Sequence, residues 1–193
     1  MDRRAALARM VAITGCAMIG SEFFLTGCRR PGKHATKPFT PQDLVLMDEI
    51  GDTIIPATDT PGAKAVGIGA FMAMMVGDCY DDDNHAAFQD GLTQIDQASR
   101  KRTGQAFAES APAQRLALLV DLDRENRTYT QKRKPSDPQH YLKLMKDLTL
   151  LGFFTSEIGC TRALRFVETP GSYNGNVPYR KGEKSWVNPM RRV

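Results

Sequence analysis

Residues 137–152 read Asp137-Pro138-Gln139-His140-Tyr141-Leu142-Lys143-Leu144-Met145-Lys146-Asp147-Leu148-Thr149-Leu150-Leu151-Gly152. Tyr141, Leu144, Met145, Leu148 and Leu151 recur three and four positions apart, the repeat that lines one face of an α-helix. With Asp137-Pro138 as its start, this stretch predicts the longest helix of the chain, apolar on one face as far as Gly152. Phe153 to Glu168 is expected to continue helical, bent at Gly152 or Gly159.

The same periodicity extends upstream. Thr40-Pro41 provides an N-cap followed by proline at the first helical position, and Leu44, Met47, Ile50 and Ile54 make an apolar face that ends at Pro56. Thr58-Asp59-Thr60-Pro61-Gly62 reads as a turn. A second helix is expected from about Ala65 to Tyr80, weakened by Gly67, Gly69 and Gly77 at about 1 kcal/mol each. Its methionines 72, 74 and 75 read as core. Asp81-Asp82-Asp83-Asn84 precedes Phe88, Leu92 and Ile95, and acidic residues there suit a helix N-terminus. A calcium loop is the other reading, although the alternate spacing, central glycine and closing glutamate of an EF-hand are missing. Ser110 is placed as the cap of the next helix, with Pro112 inside it and Leu116, Leu119, Val120 and Asp123 following. Lys132-Arg133-Lys134 reads as a solvated loop. Strand-like alternation is not evident anywhere. The expected fold is all-α: a small helical domain of about five or six helices over residues 40–169, then an extended, irregular basic tail over 170–193.

The N-terminus begins Met1-Asp2-Arg3-Arg4, ahead of an interrupted apolar stretch from Met10 to Leu25. That stretch is too short and too polar for a stable span, which takes about 20 apolar residues. A basic start before a short apolar region is an export signal, and the pair Arg3 and Arg4 points to the twin-arginine route for folded passengers. Leu25-Thr26-Gly27-Cys28 has the form accepted by a lipoprotein signal peptidase. Residues 1–27 are therefore read as a signal peptide, Cys28 as the lipidated residue, and 28–39 as a flexible tether. The expected location is the periplasm, membrane-anchored through Cys28 at about 0.8 kcal/mol per buried methylene.

Cleavage would leave 166 residues, enough for one domain burying about 70% of its unfolded-chain surface. The net charge of +4 is concentrated at the C-terminus, where Arg180 onward carries five basic residues and one acid. A basic tail can meet phosphates, an acidic partner or anionic lipid. No basic stripe interleaves with aromatics, which argues against nucleic acid. Cys79 and Cys160 would remain beside Cys28. In an oxidising compartment they form a candidate disulfide, the alternative being two separate buried thiols.

Motifs of chemistry are absent. His34, His85 and His140 lie in three separate segments, outside any metal-ligand spacing. There is no nucleophile elbow, glycine-rich phosphate cradle or dinucleotide fingerprint, and no parallel sheet to present one. No catalytic, cofactor or metal residue is assigned to this chain. Two segments are polar yet specific in composition: Phe153-Phe154-Thr155-Ser156-Glu157-Ile158-Gly159, and Pro170 to Tyr179. With Trp186 they supply a candidate partner interface, namely Phe154, Thr155, Ser156, Glu157, Tyr173, Tyr179 and Trp186, because tyrosine and tryptophan join large apolar faces to polar tips. The other reading is a tail folded over its own domain.

Three segments carry a family resemblance: Asp52-Thr53-Ile54-Ile55-Pro56-Ala57-Thr58-Asp59-Thr60-Pro61-Gly62-Ala63, then Gly152 to Gly159, then Pro170-Gly171-Ser172-Tyr173 with Pro178-Tyr179. Over about residues 40 to 180 the chain resembles the gluconate 2-dehydrogenase subunit 3 family. The resemblance implies a small, non-catalytic subunit of a membrane-associated sugar or sugar-acid dehydrogenase. It implies FAD in a large partner of the glucose-methanol-choline class, and haem c in a cytochrome subunit that takes the electrons. The small subunit then acts as escort and stabiliser. The alternatives are an autonomous lipoprotein that binds a ligand, and a stand-alone oxidoreductase.

Overall fold

A computed structural model describes residues 37–168, 172–173, 176, 178–187 and 190–191. Arg3, Arg4 and Cys28 lie outside the described residues. The described chain is helical, in agreement with the all-α expectation. Five α-helices carry it: α1 Pro41–Ile54, α2 Ile68–Cys79, α3 Asp82–Thr103, α4 Pro112–Lys132 and α5 Tyr141–Thr155. Single 3₁₀ turns occupy Ala63–Val66 and Phe107–Glu109, and a π-type turn occupies Gly159–Ala163. No helix among the described residues is long and apolar enough to cross a membrane.

Helix α1 starts where its sequence says it should. The Thr40 hydroxyl accepts from the Asp43 amide at 3.2 Å, and Asp43 accepts from the Thr40 amide at 2.8 Å, a reciprocal capping box. Asp81 caps α3, accepting from the Asn84 amide at 2.8 Å and holding the Asn84 side chain at 2.8 Å. The acidic cluster therefore begins a helix.

Four boundaries differ from the sequence reading. Gly67 adopts φ 64 and separates the 3₁₀ turn from α2, so the expected helix from Ala65 is two pieces. Ser110 is not the cap of α4; Ala111 is, with its amide bonded to Gln114 Oε1 at 3.1 Å. The Ser110 hydroxyl is instead buried against Ser99 at 2.9 Å and donates to the Ala106 carbonyl at 3.0 Å. Helix α5 begins only at Tyr141, where the His140 ring caps it, and at 15 residues it is shorter than α3 with 22. It ends at Thr155, and the chain turns at Ser156.

Helices α1 and α5 each pack on all the other helices and form the centre. Met47, Ile50, Ile68, Met72, Val76, Phe88, Ile95, Phe107, Met145 and Phe153 are fully or almost fully buried there, and each such side chain contributes about 2 kcal/mol. Of the three methionines on α2, Met72 is core, Met75 packs against it, and Met74 is exposed. On α4 the buried set is Leu118, Leu119 and Leu122, while Leu116 and Val120 face out.

The tail is less irregular than its composition suggests. Arg165 and Trp186 form a parallel bridge, with Arg165 N donating to Ser185 O and Val187 N to Arg165 O, both at 2.9 Å. Ser172–Tyr173 pairs antiparallel with Met190–Arg191 through the backbone.

Candidate functional site

Two of the segments that carry the family resemblance, 52–63 and 152–159, fold as corners. In the first, Ala63 N donates to Ile55 O at 2.9 Å and Thr58 N to Thr60 O at 2.9 Å, closing the loop after α1. Gly62 is squeezed inside: a Cβ there would stand 2.6 Å from the Ala57 amide nitrogen. In the second, the Ser156 hydroxyl donates to Phe153 O at 2.7 Å and accepts from Gly159 N at 3.0 Å. It thereby joins the last turn of α5 to the π-type turn. A Cβ on Gly159 would fall 1.8 Å from the Phe153 carbonyl oxygen, so no other residue fits. Thr155 donates to Leu151 O at 2.7 Å. Ser156, Thr155 and Gly159 thus shape the corner from within, and Phe154 and Glu157 look outward from it.

Phe153 and Phe154 divide the work of this corner. Phe153 is buried in the core, and Phe154, 39% exposed, meets it edge-on at 5.1 Å. Leu150 and Leu151, one turn back, are also exposed. The three form an outward apolar stripe along α5, since positions 150, 151 and 154 share one helix face. Leu151 therefore does not belong to the core-facing set in which the spacing placed it. The signal for this stripe was present in the sequence. Leu142, Leu144, Met145, Leu148, Leu150, Leu151, Phe153 and Phe154 are more apolar residues than one face of a 15-residue helix can bury.

Neighbouring α2 runs antiparallel to α5. Its first turn, at Ile68 and Phe71, meets Gly152, and its last residue, Cys79, lines a cavity of about 140 Å³ with Leu144 and Asp147. Cys79 is exposed, and Cys160 is half-buried with its Sγ donating to Phe154 O at 3.1 Å. Both are free thiols. The two thiols are not both buried, as the alternative reading had them. One cysteine ends α2 with its side chain in solvent, and the other is turned toward the α5 terminus.

The remaining candidates lie along the tail. Tyr173 is described through its backbone alone, in the short strand pair. Tyr179 and Trp186 are exposed and flank the turn 180–183. They do not share an element with the α5 stripe.

Burial, opposed by the Asp82 charge, lowers the pKa of His85, and burial, opposed by Glu125, lowers that of His140. Burial, with Glu125 adding to it, pushes the Tyr141 phenol up to about 12. Among the described residues no group of three His, Cys, Asp or Glu side chains could hold a metal ion. A groove of about 660 Å³ lies between α1 and α3 and is lined by Val45, Leu46, Leu92, Asp96, Arg100 and Ala106, among others.

A family model described as Gluconate 2-dehydrogenase subunit 3 matches residues 41–171. No curated protein and no solved structure matches the chain. The matched span takes in all five helices and both corners.

Proposed function

The chain belongs to the gluconate 2-dehydrogenase subunit 3 family, and on that premise we propose that it is the non-catalytic small subunit of a membrane-associated, FAD-dependent sugar or sugar-acid dehydrogenase. The larger subunit, a flavoprotein of the glucose-methanol-choline class, carries the FAD and the oxidation. A cytochrome c subunit takes the electrons onward. This chain escorts the flavoprotein through twin-arginine export, stabilises it, and anchors it through the lipid on Cys28.

One observation carries the reading: Leu150, Leu151 and Phe154 stand exposed in a row that runs into the family's own corner at Gly152 to Gly159. Apolar surface concentrated on one helix face marks a place where another protein sits. Phe154 and Glu157 make the centre and rim of that contact, and Thr155 and Ser156 hold its shape. The export reading has a physical motive. Flavin is loaded in the cytoplasm, so a flavoprotein without its own signal needs a carrier on a route that accepts folded cargo. Arg3 and Arg4 would supply the address.

The test is to express the tagged chain with a flavoprotein of the glucose-methanol-choline class from the same organism and locate dye-reducing activity. With Arg3 and Arg4 both replaced by lysine, activity is expected to stay in the cytoplasm. Activity still reaching the periplasm would defeat the escort role. A spectrum of the co-purified complex should show flavin and haem bands.

The groove between α1 and α3 is the one feature that favours a second reading, an autonomous ligand-binding lipoprotein. Thermal stabilisation of the isolated chain by a small molecule, with no flavoprotein recovered, would select it.

A further inference from the structure

The positive excess of the chain lies toward its C-terminal end. Residues 162–193 hold seven basic and two acidic side chains, while the rest, with nearly equal numbers of each sign, sums to about −1. The structure gathers much of this excess around one turn. Glu183 N bonds Arg180 O at 3.1 Å and Gly182 sits at φ 88, and on this turn Arg180 and Lys181 are exposed, with Arg180 Nε 3.9 Å from Glu183 Oε1. The turn is fastened to the body behind it. The Arg165 guanidinium donates to Lys184 O at 2.8 Å, pairs with Glu183 at 2.6 Å, and lies 4.8 Å from the centre of the Trp186 ring. Lys184 Nζ donates to Arg162 O. Two aromatic residues bracket this basic turn along the chain: Tyr179 is 81% exposed and Trp186 37%.

We propose that the Tyr179–Trp186 turn is a docking surface for an anionic phospholipid bilayer, with Arg180 and Lys181 on the phosphates and Tyr179 and Trp186 at headgroup level. Three features select a bilayer over a protein. The side chains of the turn are exposed, which suits a deformable plane. Lysine is depleted from protein interfaces, whereas basic residues beside tyrosine and tryptophan are the composition of membrane-interface contacts. The charge has the sign that acidic headgroups attract, worth about fivefold in affinity per basic residue. The contact needs neither the flavoprotein nor the lipid on Cys28. It would fix how the domain faces the membrane, which a tether alone leaves open.

Trp186 is the only tryptophan of the chain, so its fluorescence reports the contact directly. The full chain carrying Cys28→Ser is mixed with vesicles of brominated phosphatidylcholine holding roughly 30 mol% phosphatidylglycerol. The expected result is a blue-shifted, quenched Trp186 emission that is reversed by about 0.5 M salt. Replacing Arg180 and Lys181 by glutamine should weaken this signal about 25-fold in lipid concentration, and replacing Lys181 by arginine should preserve it. Helical circular dichroism checks that each variant is folded. Equal quenching in pure phosphatidylcholine, or vesicle-bound chain with unquenched Trp186, overturns the proposal. So does a glutamine variant that keeps its quenching, or one that instead releases the flavoprotein, which would make the turn a protein contact. A chain that docks on vesicles yet never recovers a flavoprotein would sink the subunit reading and leave this one standing.

Discussion

Gly152 on α5 lies against the ring of Phe71 on α2: a Cβ at position 152 would stand 2.5 Å from Phe71 Cδ1 and 2.5 Å from Ile68 Cδ1. The two helices approach to the distance that a missing side chain allows. Behind this contact α5 continues into the Ser156 corner, so the seating of Gly152 on α2 also sets the direction in which Phe154 emerges. The family segment that begins at Gly152 therefore joins a packing requirement to a surface.

Gly152→Ala should destabilise the domain by about 1–3 kcal/mol through overpacking, and Gly152→Val by more. Denaturant midpoints measure the loss. An alanine variant as stable as the parent would show that α2 and α5 are free to part.

Glu49 joins two cations, Lys64 and Arg115, and both it and Arg115 are largely buried. Burial raises its pKa, but hydrogen bonds from Lys64 and Arg115 outweigh that and hold it below 4.5. A carboxylate depressed on folding stabilises the protein above its unfolded pKa, and this stabilisation is lost as pH falls through the folded value. Glu49→Gln should cost about 2 kcal/mol at neutral pH, reduced from the fully buried case by its partial exposure. The gap between parent and variant should close under acid. Urea titrations at descending pH below 4.5 test it.

His140 caps α5 with its ring nitrogen, since Nδ1 accepts from the Leu142 amide at 3.2 Å. Only an unprotonated Nδ1 can accept, and burial lowers the pKa in the same sense, with the Glu125 charge opposing. The folded pKa therefore lies below the unfolded one. The contribution is complete above pH 6.5 and declines as pH falls through the folded value. Losing the cap should cost about 1 kcal/mol. In His140→Asn, which keeps an acceptor, stability should fall less between roughly pH 7.5 and pH 5. His85, lowered in the same way, accounts for a residual slope.

Cys79 and Cys160 should both alkylate without reductant, Cys79 first because its side chain is in solvent and the Cys160 thiol is engaged with Phe154 O. Mass spectrometry of the labelled, unfolded chain reads this. A pair protected until reduction would restore the bridge.

The parts of this fold legible in the sequence are those decided locally. Thr40-Pro41 and Asp81 announce helix starts because a cap needs only residues within one turn. Ser110 misleads for the opposite reason: its hydroxyl is satisfied by Ser99 across a helix pair, and no local pattern shows that. Leu116 and Val120 on α4 have the same spacing as the buried Leu118 and Leu122, so periodicity identifies a helix without saying which face turns inward. Gly67 looks like a weakness in a helix until its φ of 64 shows it to be the break between two elements. At the candidate interface, Phe154 and Glu157 were found from composition and resemblance. The repeat skips Leu150 and turns Leu151 inward, because Leu148 and Met145 already satisfy it.

Phe39 offers a last consequence. Its ring sits 5.7 Å from that of His85 and 5.9 Å, edge-on, from that of Phe88, and Gln89 donates to the carbonyl of Lys37 just before it. The chain is thus clamped to α3 before it enters α1. Any tension arriving along the N-terminal segment is resisted first by this clamp, in shear across an aromatic contact. The hydrogen-bond ladder of α1 bears load only after the clamp has yielded.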